Sequence, residues 1–186
     1  MLGLMLRNQE IKIVQAIAYL AEKVNNMTDV KAYKLLWLAD RQHLGEYGRT
    51  ISGDVYYAMA RGPVPSHVKL IVNRKERSEL FWKFFALNSK ELVLINHFDS
   101  YDYLSETDKK SLDTIISAYG DKSEDELVDI SHKSPEWKAF DDLIKRGPKK
   151  SYKMSIGDFF IDFDDPAGVF DRNGNAEIAK AIFMGD

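Results

Sequence analysis

Five side chains that could carry acid–base chemistry lie close together in the sequence, near the end of the second predicted helix and in the turn after it. They are Asp40, Arg41, His43, Arg49 and Asp54. A carboxylate beside an imidazole can move protons. An Asp with an Arg at such a corner more commonly fixes the exit of a buried helix through charge-assisted hydrogen bonds. We expect a structural polar network, and keep as the alternative a small enzyme that uses Asp40, His43 and Asp54.

Other patterns of chemically active residues are incomplete. The histidines His43, His67, His97 and His132 lack the i+3 or i+4 partner of a helical zinc pair. A calcium-loop pattern begins with Asp171, Asn173 and Asn175, but Ala176 and Ile182 stand where the loop needs Gly and a bidentate acid. The chain has no cysteine, no phosphate-binding glycine loop and no serine elbow. We therefore expect no metal and no cofactor.

Two basic runs raise the alternative of a nucleic-acid-binding regulator. The first combines cations with aromatic residues, at Lys69, Arg74, Lys75, Arg77, Lys83, Phe81, Trp82, Phe84 and Phe85. Aromatic side chains can stack on bases, but Glu76 and Glu79 interrupt the run, and alternating aromatics usually pack a sheet on helices. The second run, at Lys145, Arg146, Lys149, Lys150 and Lys153, suits a helix C-terminus. We therefore do not expect nucleic acid as a partner.

Length and composition indicate one globular domain. The chain has 186 residues, of which 45% are apolar, and its 26 Lys and Arg against 29 Asp and Glu give a net charge of −3. This mild acidity argues against a protein built mainly to neutralise phosphates. The lack of cysteine suits a reducing compartment. Because no signal-peptide or membrane-span pattern is present, we expect a cytoplasmic protein that contacts no membrane.

Hydrophobic periodicity in the first half predicts helices over Asn8–Val24 and Asp29–Glu46, the second being apolar on nearly every side. Thr28 suits its N-cap, and Gly48 its C-terminal end. We then expect a strand over Val55–Met59, a rigid loop from Gly62 to Pro65, and a helix capped by Ser66 that ends near Lys75. The aromatic and aliphatic runs Phe81–Leu87 and Leu92–Asn96 predict a hairpin with a four-residue turn.

Helix starts are better marked in the second half. Ser105 with Asp108, and Ser123 with Glu126, have capping-box spacing. Ser134 followed by a proline predicts a helix that runs to Arg146, and a terminal helix is expected from Asn175 to Phe183. These elements predict an α+β, predominantly α-helical fold, a compact helical domain with a small β-hairpin or antiparallel sheet.

One long stretch has a family signature. Residues 34–66 read KLLWLADRQHLGEYGRTISGDVYYAMARGPVPS, and residues 126–137 read ELVDISHKSPEW. The motifs at Lys34–Trp37, Ala39–Asp40, His43–Leu44, Tyr47–Arg49, Ile51–Asp54, Tyr57–Met59 and Gly62–Ser66 closely resemble those of the Panacea, or SocA-like, antitoxin domain. The similarity covers about residues 8 to 146. We expect a SocA-like domain over residues 1–148, with residues 149–186 as an extension packed on the same domain.

The resemblance implies an antitoxin of a type II toxin-antitoxin system, often phage-associated, which neutralises a cognate protein toxin from the adjacent gene by direct binding. It implies no catalysis; a protease would be a further partner if the protein acts as an adaptor. A loop stiffened by two prolines and flanked by Tyr and Arg suits protein binding. We therefore predict partner contacts at Tyr56, Tyr57, Arg61, Gly62, Pro63, Val64 and Pro65. Equally, this segment could serve only to turn the chain between strand and helix.

Overall fold

Helix α2, Asp29–Tyr47, is the central element of the fold. A computed structural model describes residues 2–73, 78–170 and 175–184. Every residue of α2 from Lys31 to Gly45 is buried except Gln42. The hydroxyl of Thr28 accepts a hydrogen bond from the Lys31 amide, and Gly48 ends the helix in the left-handed conformation with φ 69°. The predicted cap and end of this helix are confirmed.

The described residues form eight further helices. They are α1 Leu2–Ala21, α3 Ser66–Val72, α4 Glu79–Phe84, α5 Glu106–Tyr119, α6 Glu124–His132, α7 Pro135–Lys138, α8 Asp141–Arg146 and α9 Asn175–Met184, with a 3-10 turn at Ile156–Phe160. Helix α2 packs against α1, α5, α6 and α9. The strands are β1 Tyr56–Met59, β2 Gly62–Pro65, β3 Phe85–Asn88, β4 Glu91–Leu94 and β5 Ser151–Lys153. The predicted α+β, mostly helical class is confirmed.

A three-stranded antiparallel sheet in the order β2-β1-β5 lies against α2 and α6. Strands β1 and β2 form a tight hairpin in which Tyr57 pairs with Val64. Strand β5 pairs with the other side of β1, with Tyr57 opposite Lys153. After β5, Phe159 packs edge-on against Trp37 and also contacts the ring of Tyr56. Strands β3 and β4 form a separate hairpin.

Both predicted capping boxes are present. The hydroxyl of Ser105 accepts from the amide of Asp108, whose carboxylate accepts from the Ser105 amide, and α5 begins at the next residue. Ser123 and Glu126 repeat the arrangement at α6. Each box satisfies amides that the first helical turn would otherwise leave unpaired, which is why these starts were readable from spacing alone.

Two predictions about extended structure are wrong. Gly62 to Pro65 is a strand. Because β2 lies at the edge of its sheet, no further strand needs the N–H that a proline lacks. The run from Phe81 to Phe84 belongs to helix α4, which the hydroxyl of Ser78 caps. The β3–β4 turn contains two residues instead of four, since Asn88 pairs with Glu91.

The predicted helix from Ser134 to Arg146 is divided into α7 and α8. Phe140 leaves the helical conformation, with φ −112° and ψ −2°, and its ring stacks on Tyr152 at 5.8 Å between centroids. Leu143 on α8 is 47% exposed. Helix α3 ends at Val72, and the predicted end at Lys75 lies outside the described residues, as do the basic residues Arg74 and Arg77 and the calcium-like positions Asp171 and Asn173. In the described ranges, no helix combines the length and the apolar character of a membrane span.

Candidate functional site

The carboxylate of Asp40 holds the chain that leaves α2. It is completely buried and accepts hydrogen bonds from the amides of Ile51 and Ser52, both at 2.8 Å. The hydroxyls of Ser52 and Tyr56 donate to it at 2.5 and 2.8 Å. Burial raises the pKa of Asp40 to about 6, although the hydrogen bonds from Ser52 and Tyr56 act in the opposite direction. Asp40 thereby fixes the start of β1 against the central helix.

Asp54 performs the N-terminal capping of α3 that the sequence assigned to Ser66. Its carboxylate accepts from the amides of His67 and Val68, both at 2.9 Å, and from the hydroxyl of Ser66 at 3.1 Å. The Ser66 hydroxyl makes no cap of its own, because the helix already begins at Ser66. An acidic group at this position also complements the helix dipole.

His43 and Arg49 both contact Asp108 on α5. His43 Nε2 lies 3.1 Å and Arg49 Nη1 2.9 Å from one oxygen of that carboxylate, and Lys12 Nζ lies 2.9 Å from the other. The Nδ1 atom of His43 lies 2.7 Å from the carbonyl oxygen of Arg49. Burial alone would raise the pKa of Asp108, but hydrogen bonds from His43, Lys12 and the Ser105 amide hold it well below its usual range.

The side chain of Arg41 contacts the C-terminal part of the chain. Its Nε donates to Glu136 at 2.8 Å, and its Nη2 donates to the carbonyl oxygen of Ile161. The guanidinium carbon lies 4.6 and 4.9 Å from the ring centroids of Phe163 and Phe170, which stack on each other. Arg41 and Glu136 are both completely buried. This pair joins α2 to α7.

The five predicted network residues therefore belong to four separate sets of contacts. The enzyme alternative needs Asp40, His43 and Asp54 to converge on one cleft. Each is buried and bonded to a different segment, namely the start of β1, α5 and α3. Among the described residues, no group of three or more His, Asp or Glu side chains is placed to hold a metal ion. The geometry serves to fix segments on α2.

Lys34 is a further anchor that we did not predict as a site residue. It is completely buried, and its Nζ donates to the carbonyl oxygen of Pro63 at 3.1 Å and to the hydroxyl of Ser131 at 3.0 Å. Burial, and to a smaller degree the charge of Arg61, lowers its pKa well below the usual value. The available signal was a lone Lys inside the apolar run from Ala32 to Ala39. A buried Lys must bond to neighbouring groups or lose its proton.

Most of the predicted partner-binding segment faces inward. Tyr56, Gly62, Pro63, Val64 and Pro65 are buried. Two members remain accessible. Tyr57 is half-buried, and Arg61 in the β1–β2 turn is 51% exposed and pairs with Asp125 at 3.1 Å. The partner-binding role of the segment stays a prediction, and these two residues are its accessible side chains.

The outer side of the sheet, which we call the hairpin face, consists of Tyr57, Met59, Lys69, Ser151 and Lys153. Side chains alternate across a strand, so Tyr56 and Ala58 face the core while Tyr57 and Met59 face outward. Lys153 lies opposite Tyr57, and Ser151 lies opposite Met59. Lys69 reaches over from α3, with its Nζ 3.7 Å from the Met59 sulfur.

Several buried contacts hold this hairpin from behind. Besides Asp40 and Lys34, the indole nitrogen of Trp137 donates to the carbonyl oxygen of Met59 at 2.8 Å. Gly62 has φ 91°, and a Cβ there would overlap Ser131 Oγ and Lys34 Nζ. Only a glycine fits this conformation without strain. The hairpin face is therefore a surface with a fixed backbone.

Comparison with known proteins gives one match. A family model described as "Antitoxin SocA-like, Panacea domain" matches residues 33–138, more than half of the chain. The matched range contains all the anchoring residues of α2 and the whole β1–β2 hairpin. No curated protein and no solved structure matches the chain.

Proposed function

The chain belongs to the family of SocA-like antitoxins with a Panacea domain, and we propose on that premise that it neutralises a cognate protein toxin by binding it. The pair would form a type II toxin-antitoxin system, encoded by adjacent genes and often carried by phage. The observation that carries this proposal is that the ionisable residues of α2 bond to neighbouring segments of the fold. Asp40, Arg41 and His43 fix neighbouring segments and so support a surface instead of converging on a substrate.

The hairpin face suits the centre of a protein interface. Tyr and Arg side chains frequently dominate binding energy, and the hairpin carries one accessible residue of each type, Tyr57 and Arg61. A backbone held by buried hydrogen bonds loses little conformational entropy when a partner docks. A stable complex buries at least about 1,000 Å², so the contact must extend beyond the hairpin face to its neighbours.

Co-expression with the product of the adjacent gene tests the proposal. We expect the two chains to co-elute on size-exclusion chromatography, and the variant Tyr57→Ala/Lys153→Glu to lose the complex while it keeps its fold. The matched control is Tyr103→Ala, which removes a 43% exposed tyrosine outside the hairpin face. Separate elution of the wild-type chain and every neighbouring gene product would contradict the proposal.

Delivery of the toxin to a protease is a second form of the same activity. The protein would then bind the toxin with one surface and the protease with another. In cells, the half-life of the toxin would fall when this protein is present, and a protease-deficient strain would restore it. An unchanged half-life together with a stable complex supports neutralisation by occlusion.

A further inference from the structure

Strand β5 is an edge strand of the three-stranded sheet, and basic residues lie on it and just before it. We propose that this edge binds an extended acidic segment of the partner, which adds to the sheet as a fourth strand. This inference rests on the proposed function and names the chemistry of the partner at one part of its contact. Exposed strand edges offer a row of backbone donors and acceptors that another chain can pair with.

The direction of the backbone groups follows from the pairing of β5 with β1. The amide of Met154 donates to the carbonyl oxygen of Tyr56 at 2.9 Å, so the backbone of Met154 points towards β1. The backbone groups alternate in direction along a strand. The N–H and C=O groups of Tyr152 therefore also point towards β1, whereas those of Ser151 and Lys153 point to the outer edge. Both outer residues are exposed, and no described strand pairs with that edge.

The charge around this edge is strongly positive. Four exposed basic residues lie on β5 or just before it and have no ion-pair partner among the described residues: Arg146, Lys149, Lys150 and Lys153. Lys145, by contrast, pairs with Asp141 at 2.6 Å. A chain with a net charge of −3 thus carries four basic residues without a described ion-pair partner on β5 and in the few residues before it. Complementary charge on a partner speeds association and fixes its register.

The two faces of β5 predict the sequence pattern of the added strand. Lys153 and Ser151 lie on the hairpin face beside Tyr57, whereas Tyr152 lies on the other face, where its ring stacks on Phe140. Neighbouring residues of adjacent strands share a face. The bound segment should therefore alternate acidic residues, which meet Lys153, with apolar residues, which meet Tyr152.

The edge favours a polypeptide over nucleic acid as the occupant. Ser151 and Lys153 each present a carbonyl oxygen as well as an N–H to the outside. A peptide backbone satisfies both groups, whereas a phosphate can only accept hydrogen bonds and is repelled by a carbonyl oxygen. Four cations without an exposed aromatic stacking platform between them also provide little of what single-stranded nucleic acid requires.

Fluorescence anisotropy on the full chain tests this inference with a labelled octapeptide of alternating Glu and Val. We expect saturable binding that weakens at least tenfold in Ser151→Pro, since proline removes an outward N–H at a position where an edge strand tolerates it. Three charge reversals, Lys149→Glu/Lys150→Glu/Lys153→Glu, should abolish binding. The exposed control Lys110→Glu on α5 should not change it.

Two further probes separate strand addition from simple charge attraction. The same peptide methylated on alternate backbone nitrogens keeps its charge but cannot pair, and it should bind at least tenfold more weakly. A labelled eight-nucleotide single-stranded DNA should bind more weakly than the peptide. Equal binding of the methylated peptide, tighter binding of the DNA, or unchanged binding by both β5 variants overturns the inference.

The inference and the proposed function can fail separately. If the chain co-elutes with its partner and neither β5 variant weakens that complex, the β5 assignment is overturned and the function stands. If peptide binding follows the expected pattern but no neighbouring product co-elutes, the edge binds acidic strands and the toxin-binding proposal is contradicted. Circular dichroism of each variant confirms that the fold is intact.

Discussion

The side-chain nitrogen of Lys34 lies 3.1 Å from the carbonyl oxygen of Pro63, and this hydrogen bond joins the middle of α2 to the edge strand β2. The completely buried amine thus contacts the segment that the sequence predicted to be a rigid loop. The hairpin is thereby held from the inside, and its stability depends on groups that a partner never touches.

Replacing Lys34 by Met should remove a pH dependence of stability. Between the lowered folded-state pKa of Lys34 and the ordinary value of 10.5, the unfolded chain holds a proton that the folded chain lacks. The free energy of unfolding therefore rises with pH across that window, by up to about 1.4 kcal/mol per unit. Urea unfolding at a series of pH values below 10.5 should show this rise in the wild type and not in Lys34→Met.

The control for this comparison is Lys110→Met, which removes an exposed lysine. Its slope should equal that of the wild type. Parallel curves for the wild type and Lys34→Met would show that the amine is protonated in the folded chain, against our account.

The contribution of Asp40 to the free energy of unfolding should change with pH in the opposite direction to that of Lys34. Its pKa is raised to about 6 by burial, against hydrogen bonds from Ser52 and Tyr56. Between about pH 4 and 6 the folded chain holds a proton that the unfolded chain has lost, so the contribution of this carboxyl to stability falls as the pH rises, by about 3 kcal/mol in all. The stability difference between the wild type and Asp40→Asn should change by that amount between about pH 3 and 7.

Asp142→Asn, at an exposed aspartate on α8, is the matched control and should track the wild type. A constant difference between wild type and Asp40→Asn from pH 4 to 7 would mean that Asp40 titrates in the same way in both states, and the prediction would be wrong.

Asp108 should stabilise the fold most strongly above pH 4. Hydrogen bonds from His43 and Lys12 lower its pKa against the effect of burial, so its contribution is present above its unfolded pKa near 3.8 and is lost as the pH falls through the folded value. At pH 7, Asp108→Asn removes the buried carboxylate that His43, Lys12 and Arg49 share and should cost about 3 kcal/mol. Asp113→Asn on the same helix breaks an exposed pair with Lys23 and should cost less than about 1 kcal/mol. Equal costs in thermal unfolding would contradict this ranking.

Gly62→Ala should be much more damaging than Gly168→Ala. Both glycines have positive φ, 91° and 64°, but a Cβ at Gly62 would overlap Ser131 Oγ and Lys34 Nζ, whereas one at Gly168 meets no atom within 4 Å. Backbone strain alone costs about 1 to 2 kcal/mol, and the overlap at Gly62 should add at least about 2 kcal/mol. Denaturant midpoints of the two variants measure the difference; similar midpoints would show that the hairpin can shift away from α2.

The features predicted correctly from the sequence have local causes. Thr28, Ser105 and Ser123 each cap a helix through the residue three positions away, so spacing alone defined them. Strand β5 was not predicted, because its three residues form a strand only through pairing with β1, about ninety residues earlier. The domain boundary near residue 148 stays a prediction.

In the candidate site too, contacts between distant segments could not be predicted from the sequence. Asp40, His43 and Asp54 were singled out from the sequence as one polar group, but adjacency in sequence did not reveal that their partners lie on β1, α5 and α3. Burial of Gly62 to Pro65 depends on Lys34 and Ser131, which approach from α2 and α6. Such contacts between distant segments carry no local sequence signal.

The most direct test of the central claim is a titration of the toxic neighbouring gene product with purified protein, in the absence of any protease. A protein that acts by binding should lower toxin activity in proportion to its amount and abolish it near an equimolar ratio. Complete loss of toxin activity at a small fraction of that ratio, increasing with time, would show that the chain acts on the toxin catalytically and would contradict the account.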